Sequence, residues 1–245
     1  MTRELVAAAC RVLAARGLTD GLLGHVSLRA DAERLLVRCR GPRERGLADT
    51  EPSDIRLVTL DGAEGAPGEL DGYVPPNELP LHTEVLRARP EVRAVVHAHP
   101  PATVAADLAG LAIRPIIGAF DIPGARLARG GVPVYPRGVL IRDRSLAAEM
   151  VSAMAECPVV LLRGHGLTSA ADGVERAVLQ TISVDRIAAL ALAVRAAGGQ
   201  LTDLPDADLA ELPDLGAGFN VDVAWRHELA RLGERGHPSW LDSSP

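Results

Sequence analysis

Three histidines lie in or beside two apolar segments, and their spacing suits metal chemistry. His97 and His99 are separated by one residue near the end of an apolar run, and His165 follows a second run at residues 159–162. In a β-strand the side chains at i and i+2 point to the same face, so the first two imidazoles should project in parallel. Imidazole is the commonest ligand for divalent transition metals, and three protein ligands with one open position are typical of catalytic zinc sites. The pattern predicts a metal enzyme.

Composition restricts the chemistry that such a site can use. The chain has 26 basic residues, all of them arginines, so a lysine amine is not available for Schiff-base catalysis. The net charge of −6 and the 2% aromatic content argue against nucleic acid and anionic membranes as partners. We expect no apolar run of membrane-spanning length. The three cysteines are scattered, and the N-terminal segment lacks a signal-peptide core, which predicts a reducing, cytoplasmic location.

The hydrophobic pattern predicts the elements that position these residues. We expect helices over 2–16, from Asn77 as N-cap to about 88, and over 102–108, 145–156, 173–197 and 223–232. We expect strands over 24–29, 35–39, 55–60, 92–99, 114–119 and 132–135, and a strand or hairpin over 159–169. Because strands and helices do not alternate strictly, we predict a single α/β domain with a mixed or antiparallel sheet. Residues 1–200 should form this domain, and 201–245 a C-terminal extension that belongs to it or to an oligomer interface.

Four short segments, each with at least one histidine, follow one another along the chain. They read Gly-His-Val-Ser-Leu-Arg at 24–29, Asn-Glu-Leu-Pro-Leu-His at 77–82, Val-Val-His-Ala-His-Pro at 95–100 and Leu-Arg-Gly-His-Gly-Leu at 162–167. Together they resemble the class II aldolase/adducin family, which includes fuculose-phosphate and rhamnulose-phosphate aldolases and ribulose-phosphate 4-epimerase. The resemblance extends over about residues 4–200.

The resemblance implies a fold and a metal. The family fold is a central, mostly antiparallel sheet flanked by helices in three αβα layers, commonly assembled as a homotetramer with active sites at subunit interfaces. A divalent metal, usually zinc and alternatively manganese, cobalt or iron, would be bound by His97, His99 and His165.

The catalytic acid/base of the family falls on Glu78, nineteen residues before His97. A substrate with adjacent hydroxyl and carbonyl oxygens can chelate a metal, which acts as a Lewis acid toward the enediolate formed when a C–C bond breaks. A nearby carboxylate moves the proton. As a structural alternative, Glu78 is a helix-start carboxylate favoured by the helix dipole. His82 lies one turn further on, as a candidate proton relay or a core residue.

Two departures from the family pattern bear on the substrate. His25 stands where sugar-phosphate members have an asparagine, and Pro76 and Asn77 stand where they have serines. Because proline has neither an N–H nor a hydroxyl, a phosphorylated sugar is disfavoured. The Gly-His form resembles the branch that contains adducin-type proteins and decarboxylases. We expect His25, Ser27 and Asn77 to contact the substrate.

A basic loop and one aspartate complete the candidate residues. The loop at 38–46 contains four arginines, of which Arg40, beside Gly41, is our candidate for binding a substrate carboxylate; the alternative is a solvated charged loop. Asp121 lies near the position of an aspartate used by the epimerase branch. It is a candidate proton relay, or else an ordinary loop residue.

These observations predict a metal-dependent lyase that cleaves a C–C bond next to a carbonyl. It would be an aldolase or a decarboxylase of a small hydroxy, keto or aromatic carboxylate. Three alternatives stay open. One is a sugar-phosphate aldolase or epimerase. Another is an Fe(II) oxygenase, for which two histidines and a carboxylate are more typical than three histidines. The last is a non-catalytic adducin-type interaction protein, against which the intact histidines and Glu78 argue.

Overall fold

The computed structural model describes residues 2–233, in which helices and strands alternate irregularly. The helices are α1 (Thr2–Ala15), α2 (Leu79–Ala88), α3 (Pro101–Leu108), α4 (Ile122–Leu127), α5 (Arg144–Met154), α6 (Val174–Ala196), α7 (Asp206–Glu211) and α8 (Ala224–Gly233). The strands are β1 (His25–Arg29), β2 (Arg34–Arg38), β3 (Ile55–Thr59), β4 (Ala94–Ala98), β5 (Val134–Tyr135), β6 (Val159–Leu162) and β7 (Gly166–Ala171). A π-helical segment, Gly218–Val223, leads into α8.

All seven strands form one sheet in the order β3-β2-β1-β4-β7-β6-β5. Each neighbouring pair is antiparallel except β5 and β6, which are parallel. This confirms the predicted single α/β domain with a mostly antiparallel sheet. The strand that contains His97 lies at the centre, between β1 and β7, so both of its edges are hydrogen-bonded.

Alternation along the strands separates two apolar layers. Leu36 and Val96 belong to a buried cluster with α1 and α6, whereas Leu35 and Val95 belong to a second cluster with α2 and α5. Since successive strand residues point to opposite faces, the sheet is covered by helices on both sides. His97, two residues after Val95, therefore lies on the face that α2 and α5 cover.

Helix α6 is the longest element and is apolar over a length that we did not expect from the sequence. By its length and the composition of its most apolar window it could span a membrane, although we expected no such segment. Half of that window is buried inside the protein. Val178 packs in the cluster of α1, and Ile187 packs in a cluster with residues of α3 and β6. Packing in the core accounts for the apolar composition of this helix.

The predicted strand at 114–119 is wrong. The segment has irregular backbone and makes isolated hydrogen bonds: Val132 N–H donates to the Ile113 carbonyl, and Leu204 N–H donates to the Pro115 carbonyl. Because Pro115 has no N–H, the segment cannot donate regularly to a neighbouring strand.

The predicted beginnings of two helices also need correction. Asn77 is not the N-cap of α2, which begins at Leu79; the cap position is Glu78, whose carbonyl accepts from Leu81 N–H. Helix α4 was not expected, although its signal is present in the sequence. The Asp121 side chain accepts from Gly124 N–H, which is an N-cap bond.

The described part of the C-terminal segment packs on the domain. Trp225 and Leu232 of α8 are buried in the cluster that contains α1, and Arg16 forms an ion pair with Glu228. The observed α8 agrees with the helix predicted over 223–232. Of the predicted extension, residues 234–245 lie outside the described residues, and its boundary at residue 200 stays a prediction.

Candidate active site

Three imidazoles and one carboxylate converge at one end of the central strands. The nitrogen and oxygen atoms of Glu78, His97, His99 and His165 all lie within 4.8 Å of one another. Strand β4 provides His97, and His99 follows directly after it. Glu78 lies at the start of α2, and His165 lies in the turn between β6 and β7. The structure thus brings together the three predicted ligands and the predicted acid/base.

A hydrogen bond to a backbone carbonyl orients the ring of His97. Its Nδ1 lies 3.0 Å from the Leu167 carbonyl oxygen. A carbonyl can only accept, so Nδ1 donates to it, and Nε2 is the nitrogen that faces the other candidate ligands. That Nε2 lies 2.8 Å from His99 Nε2 and 3.3 Å from Glu78 Oε2. Histidine ligands of metals commonly donate their other N–H to a backbone carbonyl in this manner.

A tight turn places His165. Its N–H donates to the Leu162 carbonyl at 3.0 Å, and Gly164 adopts a φ of +61°. Gly166 packs so closely on β4 that a Cβ there would lie 2.2 Å from the Ala98 carbonyl oxygen. Glycine at 166 is therefore required for β7 to approach β4, which carries His165 toward His97.

The Glu78 carboxylate is buried and has a separate contact for each oxygen. Oε1 accepts from Ile141 N–H at 2.9 Å, while Oε2 lies 3.3 Å from His97 Nε2 and 3.6 Å from His165 Nε2. Burial by itself raises the pKa of Glu78, but the contacts with the two histidines and the Ile141 N–H together lower it to about 2. The carboxylate is therefore ionised at neutral pH.

The charges and lone pairs of this group suit a bound cation. Burial, together with the neighbouring His97 and His165, lowers the pKa of His99 to about 3. Burial and His97 also lower the pKa of His165, so both rings are neutral at neutral pH and can act as ligands. His97 Nε2, His165 Nε2 and Glu78 Oε2 then point toward one another at close range. Three imidazole nitrogens with one carboxylate oxygen fit zinc and similar divalent metals.

A second set of buried side chains lies beside this group. His82 Nε2 is 2.7 Å from His25 Nδ1, and His82 Nδ1 is 2.7 Å from Ser27 Oγ. His25 is directly opposite His97 in the β1–β4 ladder, and the two ring centroids are 5.0 Å apart. Burial lowers the pKa of His82 to about 3 and that of His25 well below its usual value. The predicted residues His25, Ser27 and His82 thus form one hydrogen-bonded chain, and its His25 ring lies beside that of His97.

A cavity of about 390 Å³ opens next to the histidines. His99 and His165 line one part of it, and Val139, Leu140 and Arg163 line another. Neither Arg163 nor Ile141 was predicted from the sequence to belong to the site. Arg163 stands within the quoted 162–167 segment, whereas nothing in the sequence signals the Ile141 contact.

The two residues selected from the predicted anion-binding loop do not line this cavity. Arg40 is exposed and its N–H donates to the Val74 carbonyl at 2.9 Å. Gly41 packs against the ring of Tyr73, which lies 2.5 Å from the position of an added Cβ. Neither residue lines the cavity beside the histidines. Asn77 is exposed and directly precedes Glu78. The substrate contacts of these three residues stay predictions.

Asp121 is not brought to the histidines. Its carboxylate accepts from Gly124 N–H at 2.9 Å, from Ser183 Oγ at 2.9 Å and from Arg186 at 2.7 Å. It lines a different cavity, of about 840 Å³, between α4, α6 and the C-terminal helices. These contacts give Asp121 a role in capping α4 and joining it to α6, and its part in proton transfer stays a prediction.

Known proteins resemble this chain in sequence and in fold. The sequence matches the family described as Class II Aldolase and Adducin N-terminal domain over residues 4–192. A 3,4-dihydroxyphthalate decarboxylase from Arthrobacter keyseri is 72% identical over 231 residues, which cover 94% of this chain and 93% of that protein. A decarboxylase of the same name from Rhodococcus jostii (strain RHA1) is 60% identical over 230 residues, covering 94% of this chain and 95% of that protein. The crystal structure of an aldolase II superfamily protein from Pseudomonas syringae superposes with a TM-score of 0.78 at 22% identity, over 96% of this chain and 92% of that one, and so supports the fold.

Proposed function

Since the chain belongs to the class II aldolase and adducin family, we propose that it is a decarboxylase that removes CO₂ from 3,4-dihydroxyphthalate. Its decarboxylase and aldolase relatives support a lyase in general. The specific substrate is supported by the 72% identity along almost the whole chain. The observation that carries the proposal is the convergence of Glu78 with three imidazoles within 4.8 Å.

The chemistry of the substrate selects the carboxylate that leaves. In 3,4-dihydroxyphthalate the carboxylate on C2 adjoins the 3-hydroxyl, whereas the carboxylate on C1 has no adjacent hydroxyl. A ring carbon next to a deprotonated hydroxyl can accept a proton, which gives a β-keto acid. Breaking the C2–carboxylate bond of that acid releases CO₂, and the bonding electrons restore the aromatic ring. The expected product is 3,4-dihydroxybenzoate.

The candidate residues have separate roles in this reaction. His97, His99 and His165 would hold a divalent cation, which when bound supplies Lewis-acid charge to adjacent substrate oxygens. Glu78 is ionised and buried, so it is suited to accept the proton of the 3-hydroxyl and to deliver it to C2. The phenolate that remains after CO₂ leaves takes its proton from solvent, so the reaction consumes one proton overall.

The metal, the assembly and the location are part of the proposal. We propose zinc, because three imidazoles are a common ligand set of catalytic zinc. We propose a homotetramer, supported by exposed apolar side chains at Phe120 and Phe219, which line the 840 Å³ cavity. A cytoplasmic location is supported by the free thiols of Cys10, Cys39 and Cys157.

Product analysis in heavy water under anaerobic conditions tests the reaction. We expect one CO₂ for each 3,4-dihydroxybenzoate, with one deuterium at C2 by NMR. A parallel incubation with fuculose 1-phosphate tests the sugar-phosphate alternative. Turnover that requires oxygen, aldehyde release from the sugar phosphate, or failure to consume the dihydroxyphthalate would each contradict the proposal.

A further inference from the structure

Arg163 places a positive charge in the cavity beside the candidate ligands. It lines the 390 Å³ cavity together with His99 and His165. Its side chain is 47% exposed, so it is accessible from the cavity and from solvent. Among the described residues that line this cavity, Arg163 carries the permanent positive charge.

The backbone around Arg163 is well anchored. Its N–H donates to the Tyr135 carbonyl at 3.1 Å, and the next residue, Gly164, donates its N–H to Asp107 Oδ2 at 2.7 Å. Asp107 is buried and belongs to α3. The turn is therefore positioned by its backbone, and the Arg163 side chain is not needed to form it.

The guanidinium retains capacity for another anion. Its Nη1 lies 3.4 Å from Asp107 Oδ1, which is longer than the 2.7–2.9 Å of a strong charge-assisted hydrogen bond. Arginine has five N–H donors in a planar fork, so this contact leaves donors free for a second carboxylate. Val139 and Leu140 line the same cavity and offer apolar surface to an aromatic ring.

We propose that Arg163 binds the carboxylate on C1 that the substrate keeps, and thereby selects dicarboxylates. This inference rests on the proposed decarboxylation, in which the C2 carboxylate leaves and the C1 carboxylate stays ionised. Among the described residues that line the cavity, Arg163 has the guanidinium that can form a charge-assisted pair with that carboxylate. Arg163 is thus a specificity-determining residue, separate from the predicted ligands and from the acid/base.

The test compares Arg163→Gln, Arg163→Lys and a matched control, Arg129→Gln. Arg129 has a 57% exposed side chain paired with Asp206 and does not line this cavity. Calorimetry measures binding of 3,4-dihydroxybenzoate, which keeps the C1 carboxylate, and of catechol, which lacks it. In Arg163→Gln we expect the dissociation constant of 3,4-dihydroxybenzoate to rise about 10- to 100-fold and that of catechol to change less than about 2-fold. For Arg163→Lys, the dissociation constant of 3,4-dihydroxybenzoate should lie between those of the wild-type protein and of Arg163→Gln. The control variant should match the wild-type protein.

Kinetics provide the second measurement. For 3,4-dihydroxyphthalate, Arg163→Gln should raise KM about 10- to 100-fold with a smaller change in kcat, because the C1 carboxylate does not react. If Arg163→Gln weakened the binding of 3,4-dihydroxybenzoate and of catechol equally, Arg163 would have a merely structural role and the inference would be overturned. Equal dissociation constants of 3,4-dihydroxybenzoate and catechol in the wild-type protein would also overturn it. Failure of the wild-type protein to release CO₂ would refute the proposed function instead, while the binding comparison would still decide the role of Arg163.

Discussion

Replacement of Glu78 by glutamine separates the proton-transfer role of this residue from its structural role. Glu78 Oε1 accepts from the buried Ile141 N–H at 2.9 Å, and the amide oxygen of glutamine can keep that bond. The change therefore removes the charge and basicity at Oε2, which faces His97 and His165. We expect kcat to fall about 10²- to 10⁴-fold, the usual contribution of general acid–base catalysis. This corresponds to about 3–5 kcal/mol in the activation barrier.

A companion variant defines what loss of the backbone contact would do. Glu78→Ala also leaves the buried Ile141 N–H without its acceptor, which costs about 1–3 kcal/mol of folding stability. In a domain of this size each kcal/mol lowers Tm by about 2–4 °C. We expect Glu78→Gln to keep the Tm within a few degrees of wild type, and Glu78→Ala to lower it further.

The assay is CO₂ release from 3,4-dihydroxyphthalate, with metal content of the same samples by mass spectrometry and Tm by calorimetry. Because the three imidazoles are unchanged, Glu78→Gln should retain bound metal. A metal-loaded, folded Glu78→Gln protein with the wild-type kcat would refute the acid/base assignment. Loss of metal from that variant would instead make Glu78 an essential ligand.

Three further predictions follow from the same structure. His99→Ala should lose both bound metal and CO₂ release, while His227→Ala, on the exposed side of α8, should keep both; turnover that persists in His99→Ala would refute the ligand assignment. Phe120→Asp places a charge on a 68% exposed apolar side chain and should lower the molar mass measured by light scattering if this surface joins subunits, whereas an unchanged mass would exclude it from the interface. Burial raises the pKa of the Cys10 and Cys39 thiols to about 12, so both thiols stay protonated at pH 8. The folded protein should thus leave both unalkylated by iodoacetamide, with reactivity rising as the pH rises, and rapid labelling of either at pH 8 would contradict the burial.

The strands near the site were predictable because their signal is local. The run before His97 is apolar on both faces, and a central strand covered by helices on both sides requires that pattern. The i, i+2 spacing of His97 and His99 directly encodes their common face. Side-chain periodicity thus located the imidazoles, although their approach to His165 depends on the β6–β7 turn.

Other features depend on contacts between distant parts of the chain. His82 and His25 are 57 residues apart, and their hydrogen bond arises from the packing of α2 on β1. Ile141 binds Glu78 across 63 residues through its backbone N–H, a group that every residue except proline possesses. For Arg40 and Arg163 the sequence provides the charge, but only the fold decides which of them lines the cavity.

The most direct test of the central claim is an anomalous difference map from crystals of the purified protein grown with zinc. We predict one peak per chain, about 2.0–2.1 Å from a ring nitrogen of each of His97, His99 and His165. Crystals of catalytically active protein without a peak between these three rings would contradict the account.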